Sequence, residues 1–287
     1  MYLRKLGLVV ICAATAIVTA DDLSTLRQNF LNENAGARLM NEGPRITRVY
    51  GAAFGFGNSA EETADQFRID YAEMFGVSPD SLRPGNAANG QLAQPVMYDP
   101  QTDSYKFTLV YYRQFFGAIP VYRSSMLVLV RNEPGFPLVW VNPYVRDLGD
   151  FQINAAAAAL QAADYADLAQ AEVGELNNFT APRAVIWAGV DDMVVEPRLA
   201  VEIIGDNGNP IDQDPQKRLF IMDAATGEVL HTENLILTFS EVSGTVRGMA
   251  TVGPGADVCG PEDVFPLPYA RVSVGGTVVF ADVNGCY

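Results

Sequence analysis

Apolar and polar positions change period several times along this chain, and each change predicts an element. In "SAEETADQFRIDYAEMF", beginning at Ser59, the residues Ala64, Phe67, Tyr71, Met74 and Phe75 fall at helical spacing. Ser59 followed by Glu62 forms a capping box, and Gly76 with Pro79 stops the helix. A loop rich in Gly, Asn and Pro runs from Pro84 to Pro95. The pattern then becomes strand-like in "PVMYD", "YKFTLVYYRQ", "IPVYRSSMLVLVR" and "PLVWVNPY", with turns at Asp99-Pro100, Gly117 and Glu133-Pro134-Gly135. The nearly continuous apolar run "SSMLVLV" predicts a central strand covered on at least one face.

The same order then repeats. Asn154 is placed to cap the alanine-rich helix "AAAAALQAADYADLAQAEVG", which ends at Gly174. Four strand-like runs follow: "PRAVIWAG", "MVVEPRLAVEII", "RLFIMDA" and "EVLHTENLILTF". The prediction is an α+β chain with two consecutive units, over residues 60–145 and 154–239, each an antiparallel sheet against one helix. From Ser243 onward, β-branched runs and glycine turns predict the start of an all-β sandwich. About 45 residues are too few for a sandwich of roughly 70–100, so this last domain is expected to be truncated. The expected divisions are 1–20, a signal peptide; 21–150, a lead-in and the first unit; 151–240, the second unit; and 241–287, the incomplete sandwich. The segment Asp21–Gly57 carries no clear pattern.

Composition narrows the function classes. The chain has 287 residues, of which 49% are hydrophobic, enough for a sizeable core. Its formal charge of −15 lacks a basic footprint and argues against nucleic-acid binding. "MYLRKLGLVVICAATAIVTA" has Arg4 and Lys5, a short apolar run and a small-residue site ending at Ala20, which predicts a cleaved secretory signal, an extracellular protein and no membrane association after cleavage. Cys12 leaves with that leader. Cys259 and Cys286 remain as a pair, which predicts a disulfide in an oxidising compartment.

Candidate chemistry is sparse. A zinc peptidase needs two histidines one helical turn apart with a glutamate between them, whereas His231 is the single histidine here. It falls on a strand and reads as a surface or hairpin residue. No Gly-x-Ser-x-Gly elbow is present to host a serine nucleophile. "GFGNSA" fits a dinucleotide-binding pattern in its glycines only, since no parallel βαβ unit follows. The acidic turns "DNGNPIDQDP" and "DVNG" lack calcium-loop spacing, and Asn178 in "NFT" is a formal glycosylation acceptor. Trp140, Trp187, Phe107 and Phe220 read as core. The aromatic cluster Tyr111, Tyr112, Phe115, Phe116 and Tyr122 divides between core and an outward docking face. No catalytic residue and no metal site is expected in this chain.

Three segments carry a resemblance. "YYRQFFGAIPVYRSSMLVLV" resembles the propeptide motif of fungalysin- and thermolysin-type zinc metallopeptidases, matched by Tyr112, Arg113, Gln114, Gly117, Ile119, Pro120 and Val121. The second unit is similar to the PepSY propeptide module, with Asp223, Gly227 and Glu228 at the turn of "LFIMDAATGEVLHTENLI". The tail looks like the start of a carboxypeptidase-regulatory-like sandwich. The resemblance implies cystatin-like units in the pro-region of a secreted zinc metallopeptidase precursor, acting as intramolecular chaperone and inhibitor. Zinc is then expected only in a peptidase domain absent from this chain, and the implied partner is that domain in cis. The alternative is a stand-alone secreted inhibitor or binding module acting on a peptidase in trans.

Overall fold

The computed structural model describes residues 20–86, 88–153, 162–209, 214–236, 244–251, 262–274 and 277–286. The predicted signal peptide, Asn154 with the first half of the alanine-rich helix, and Cys259 lie outside them. The described residues are α+β. The chain divides into two compact units between Glu233 and Asn234.

In the first unit, the unassigned lead-in is regular structure: helix α1 (Ala20–Glu33) and the hairpin of strands β1 (Ala37–Glu42) and β2 (Arg45–Gly51). Helix α2 (Ala60–Tyr71) follows, then a 3₁₀ turn to Phe75. The Ser59 hydroxyl accepts from the Glu62 amide at 3.1 Å, while the Glu62 carboxylate reaches back to the Asn58 amide at 3.2 Å. The capping box is thus present, with its return bond one residue early. Gly76 ends the turn at a φ of 79°, a left-handed conformation that favours glycine. Next come strands β3 (Leu82–Pro84), β4 (Ala93–Asp99), β5 (Ser104–Phe116), β6 (Ile119–Arg131) and β7 (Leu138–Tyr144). Helix α3 (Ala162–Glu172) opens the repeat, followed by β8 (Asn178–Phe179), β9 (Arg183–Trp187), β10 (Arg198–Asp206), β11 (Lys217–Asp223) and β12 (Val229–Asn234).

One predicted strand begins late. The run from Met193 reads as strand in sequence, yet β10 starts only at Arg198. Pro197 has no amide to give a ladder. The residues before it follow a tight turn at Gly189, where an added Cβ would lie 2.2 Å from the Met193 carbonyl oxygen.

Each repeat has its own core. In the first, Phe30, Phe54 and Phe67 are buried and meet edge to face or tilted at 5.8–6.2 Å, with Tyr71 against them. Each fully buried phenylalanine contributes about 1.5–3 kcal/mol, so α1 is an integral wall of this core through Phe30. In the second, Tyr165 and Ala169 of α3 pack on Val201, Ile203, Phe220 and Met222.

The two sheets are joined. The path runs β1-β2-β7-β6-β9-β10-β11-β12, with β5 on the other side of β6, and β3 and β4 on β5. Strand β6 pairs with β7 only from Ser125 onward. Before that point its neighbour is β9, through one parallel pair, Val121 with Ile186. The thirteen-residue β6 therefore belongs to both repeats.

The second unit, taken by itself, holds two antiparallel pairs, β13 (Arg247–Thr251) with β14 (Glu262–Pro266) and β15 (Arg271–Val274) with β16 (Thr277–Phe280). Its "DVNG" turn is an Asx turn in which Asp282 Oδ1 accepts from the amides of Asn284 and Cys286, each at 2.8 Å. These amides hold the Asp282 carboxyl below its ordinary pKa.

Candidate functional site

The feature that organises the first unit is a bulge in the β5–β6 hairpin. Arg113 opposes Ser125 and Phe115 opposes Pro120, so Gln114 alone faces the whole of Val121–Ser124. A bulge bends and twists its strand, and Arg123 takes a left-handed φ of 48° at the bend. This bend turns β6 away from β7 and towards β9.

Gln114 fills the gap. Its carboxamide is buried, at 2% exposure, where an unmatched amide would be costly. Nε2 donates to the Arg146 carbonyl at 2.6 Å, and Oε1 accepts from the Arg146 amide at 2.8 Å and from the Ser124 hydroxyl. The side chain thus gives the backbone just beyond β7 the two bonds a neighbouring strand would have given.

Three of the seven residues in the motif that resembles a metallopeptidase propeptide lie inside the protein. Tyr112, Gln114 and Val121 are buried. Tyr112 lies beneath the Arg68 guanidinium, 5.7 Å from ring centroid to Cζ, and burial drives its phenol pKa upward. Ile119 and Pro120 are half-buried, and Gly117 is exposed at the hairpin turn with a φ of 55°. Arg113 is half-buried at the surface. Of the aromatic cluster, Tyr112 and Tyr122 are core, while Tyr111, Phe115 and Phe116 are half-buried.

Beside the single pair that links the repeats is a polar and aromatic latch. Glu233, at the end of β12, receives the Tyr122 hydroxyl at 3.3 Å, the Arg123 guanidinium, and His231 Nε2 at 2.7 Å. The imidazole stacks on Trp187 at 5.3 Å and 25°, and the Tyr122 ring meets Trp187 at 5.7 Å. Burial raises the Tyr122 pKa, with Arg123 opposing and Glu233 adding to the shift. The latch ties β6 of the first repeat to β9 and β12 of the second. His231, read from sequence as a surface or hairpin residue, is one of its members.

The residues of the PepSY-like turn are placed as a compact hairpin corner. Asp223 Oδ1 accepts from the amides of Ala225 at 2.9 Å and Thr226 at 3.0 Å, and the Asp223 amide donates to the Glu228 carbonyl at 2.8 Å. Gly227 has a φ of 75°. Arg198 lies 3.7 Å from Asp223 and 3.5 Å from Glu228. Burial works to raise the Asp223 pKa but is outweighed by the Thr226 and Ala225 amides and by Arg198, so the net shift is downward. Cys286 is exposed, with its sulfur 3.8 Å from the Thr245 hydroxyl. Its expected partner Cys259 lies outside the described residues.

Two concavities flank the junction. A groove of about 450 Å³ opens over the bulge, lined among others by Val121, Val185 and Leu219, by Arg113, and by the carboxylates Asp191 and Glu202. A cleft of about 590 Å³ lies between α1, the end of β7 and the loop before β10. At its base Arg146, 5% exposed, donates to the carbonyls of Asp191 at 3.1 Å and Met193 at 3.2 Å. Burial lowers the Arg146 pKa, and its Nε has no partner among the described residues. Both volumes are of ligand-pocket size. Sequence reasoning missed Ser124, Arg146 and Glu233. Only Glu233 left a signal, sitting two residues after His231 and so on the same face of a strand.

No protein-family model and no curated protein matches this chain. Among solved structures, the Bacillus megaterium YpeB C-terminal domain is similar at a TM-score of 0.31 and 12% identity, over 77% of this chain and 100% of that one. A likeness at that level fixes neither function nor partner.

Proposed function

We propose that this chain is the pro-region of a secreted zinc metallopeptidase precursor, acting in cis as intramolecular chaperone and inhibitor. In this reading its two α+β repeats are cystatin-like propeptide units, and the strands after Ser243 begin a sandwich domain. The observation that carries the proposal is the placement of the propeptide-like motif. It forms the bulged hairpin whose second strand is common to both repeats. The motif residues thereby hold two modules as one docking body, which is what a pro-region requires of a segment that performs no chemistry. A pro-region that binds the folded peptidase and not its unfolded chain stabilises the fold by linkage. In this reading zinc belongs to the peptidase domain, and no step of the proposal runs through a metal in this chain.

The test is to read the coding sequence downstream of the Tyr287 codon. A frame that completes a sandwich and then encodes His-Glu-x-x-His is the expected result. A stop codon directly after Tyr287 would overturn the precursor reading and leave a binding module acting in trans.

A further inference from the structure

We propose that Arg83 and Arg113 form a two-armed clamp for a side-chain carboxylate on an acidic peptide segment of a protein partner. The inference rests on the docking role proposed above and names the chemistry of the docked surface. Arg83 and Arg113 stand directly opposite one another on the β3–β5 ladder. Like charges in that relation are destabilising. Both guanidinium groups lie over the same ring, with Cζ 4.6 Å (Arg83) and 5.2 Å (Arg113) from the Phe115 centroid. The chain has 34 acidic residues against 19 Lys and Arg, yet among the described residues neither arginine has a carboxylate within ion-pair distance. Their neighbours are already matched: Arg183 holds Glu202 through 2.8 and 2.9 Å contacts, and Arg123 holds Glu233. Burial and the charge of Arg183 lower the Arg113 pKa, with the Glu202 carboxylate opposing them. The fold thus gathers positive charge at one accessible place, and Glu202, the carboxylate that acts on Arg113, is spent on Arg183.

The geometry suits a carboxylate. Stacking on an aromatic face fixes the plane of a guanidinium and leaves its in-plane N–H groups to the side, and that fork matches a carboxylate in two-point contact. Arg83 is further held by its bond to the Gly117 carbonyl. The anion is best carried on a peptide for two reasons. The chain's −15 charge opposes a polyanion such as nucleic acid at long range, whereas a single carboxylate engaged at contact is little affected by charge screened beyond about 8 Å. The groove beside Arg113 is lined in part by Val121, Val185 and Leu219, which suits the side chains flanking an acidic residue, and its own carboxylates, Asp191 and Glu202, bond to Tyr144 and Arg183.

The test uses the whole chain and a fluorescently labelled peptide alternating Val and Glu, read by anisotropy at physiological salt. Saturable binding is expected, weakened about tenfold by Arg83→Gln and by Arg113→Gln, as for loss of a charge-assisted contact. Arg113→Lys, which keeps the charge without the fork, is expected to fall between. Arg131→Gln, remote and paired with Glu133, is expected to bind as the parent does, which separates a site from net charge. The matching Val/Gln peptide is expected to bind about tenfold more weakly. No saturable binding, equal weakening by Arg131→Gln, or displacement by inorganic phosphate as effective as by the peptide would each overturn the proposal. Circular dichroism checks that the variants fold, and the exposed Arg83 keeps the test decisive if Arg113→Gln does not. A stop codon after Tyr287 would overturn the precursor reading while leaving this binding result as measured.

Discussion

Replacing Glu233 with alanine tests whether the latch holds the two repeats together. The substitution removes three contacts at once. The Tyr122 hydroxyl belongs to a residue only 5% exposed and would lose its acceptor, which costs about 1–3 kcal/mol. The His231 contact at 2.7 Å adds about 1 kcal/mol. The Arg123 side chain is half exposed, so its ion pair adds less than about 1 kcal/mol after solvent screening. The expected total is about 2–4 kcal/mol of lost stability for the first unit, with overlap among the three contacts keeping it below their sum. Glu233→Gln keeps an acceptor and is expected to lose about half as much. Trp140 and Trp187 are the only tryptophans, so urea unfolding in a Trp140→Phe background reports on Trp187, which stacks on His231. A double-mutant cycle with Tyr122→Phe should then give a coupling of about 1 kcal/mol. A Glu233→Ala midpoint unchanged from the parent, or strict additivity with Tyr122→Phe, would refute the latch.

Three further outcomes are expected. Gln114→Ala should lose about 2–4 kcal/mol in chemical denaturation, because it leaves the Arg146 amide and carbonyl buried without partners; a loss below about 1 kcal/mol would show that water replaces the carboxamide. Gly285→Ala should destabilise the second unit, since an added Cβ would lie 2.5 Å from the Val246 carbonyl oxygen and the backbone is left-handed there; hydrogen exchange at Asn284 and Cys286 reads this directly. The depressed Asp223 pKa makes its contribution to stability fully present above the ordinary carboxylate value of 3.8, with loss as pH falls through the lower folded value. Asp223→Asn should therefore flatten the acid limb of the stability profile, and an unchanged limb would contradict the turn network.

What the sequence made legible was local. Helix α2 announced itself because its cap, its period and its stop are all encoded within 59–79. The β5–β6 hairpin was legible from alternation and Gly117. The lead-in was passed over although Ile46 and Val49 are buried, because the hairpin around Gly43-Pro44 is short and its outer strand exposed. The junction of the repeats was out of reach. It depends on a parallel pairing between Val121 and Ile186, and a parallel partner distant in the chain leaves no mark in the periodicity of either strand. Gln114 illustrates the same limit. The motif singles it out, but nothing in the motif points to Arg146, 32 residues further along, on which its amide is spent.

The bulge explains how one short segment can pack in both repeats. A strand has two faces and alternates between them, so a regular β6 could not leave β7, meet β9 and still keep Val128 and Val130 buried. Four residues set against Gln114 break that alternation once. On the inner side of the break, Tyr122 goes to Trp187 and Glu233 and binds the second repeat. On β5 the alternation continues through the break, so Tyr112 and Gln114 stay buried and Arg113 lies at the surface beside Phe115. The latch is therefore a consequence of this irregularity, and a change that restored a regular hairpin here would be expected to abolish it, whereas the clamp depends on the β3–β5 register.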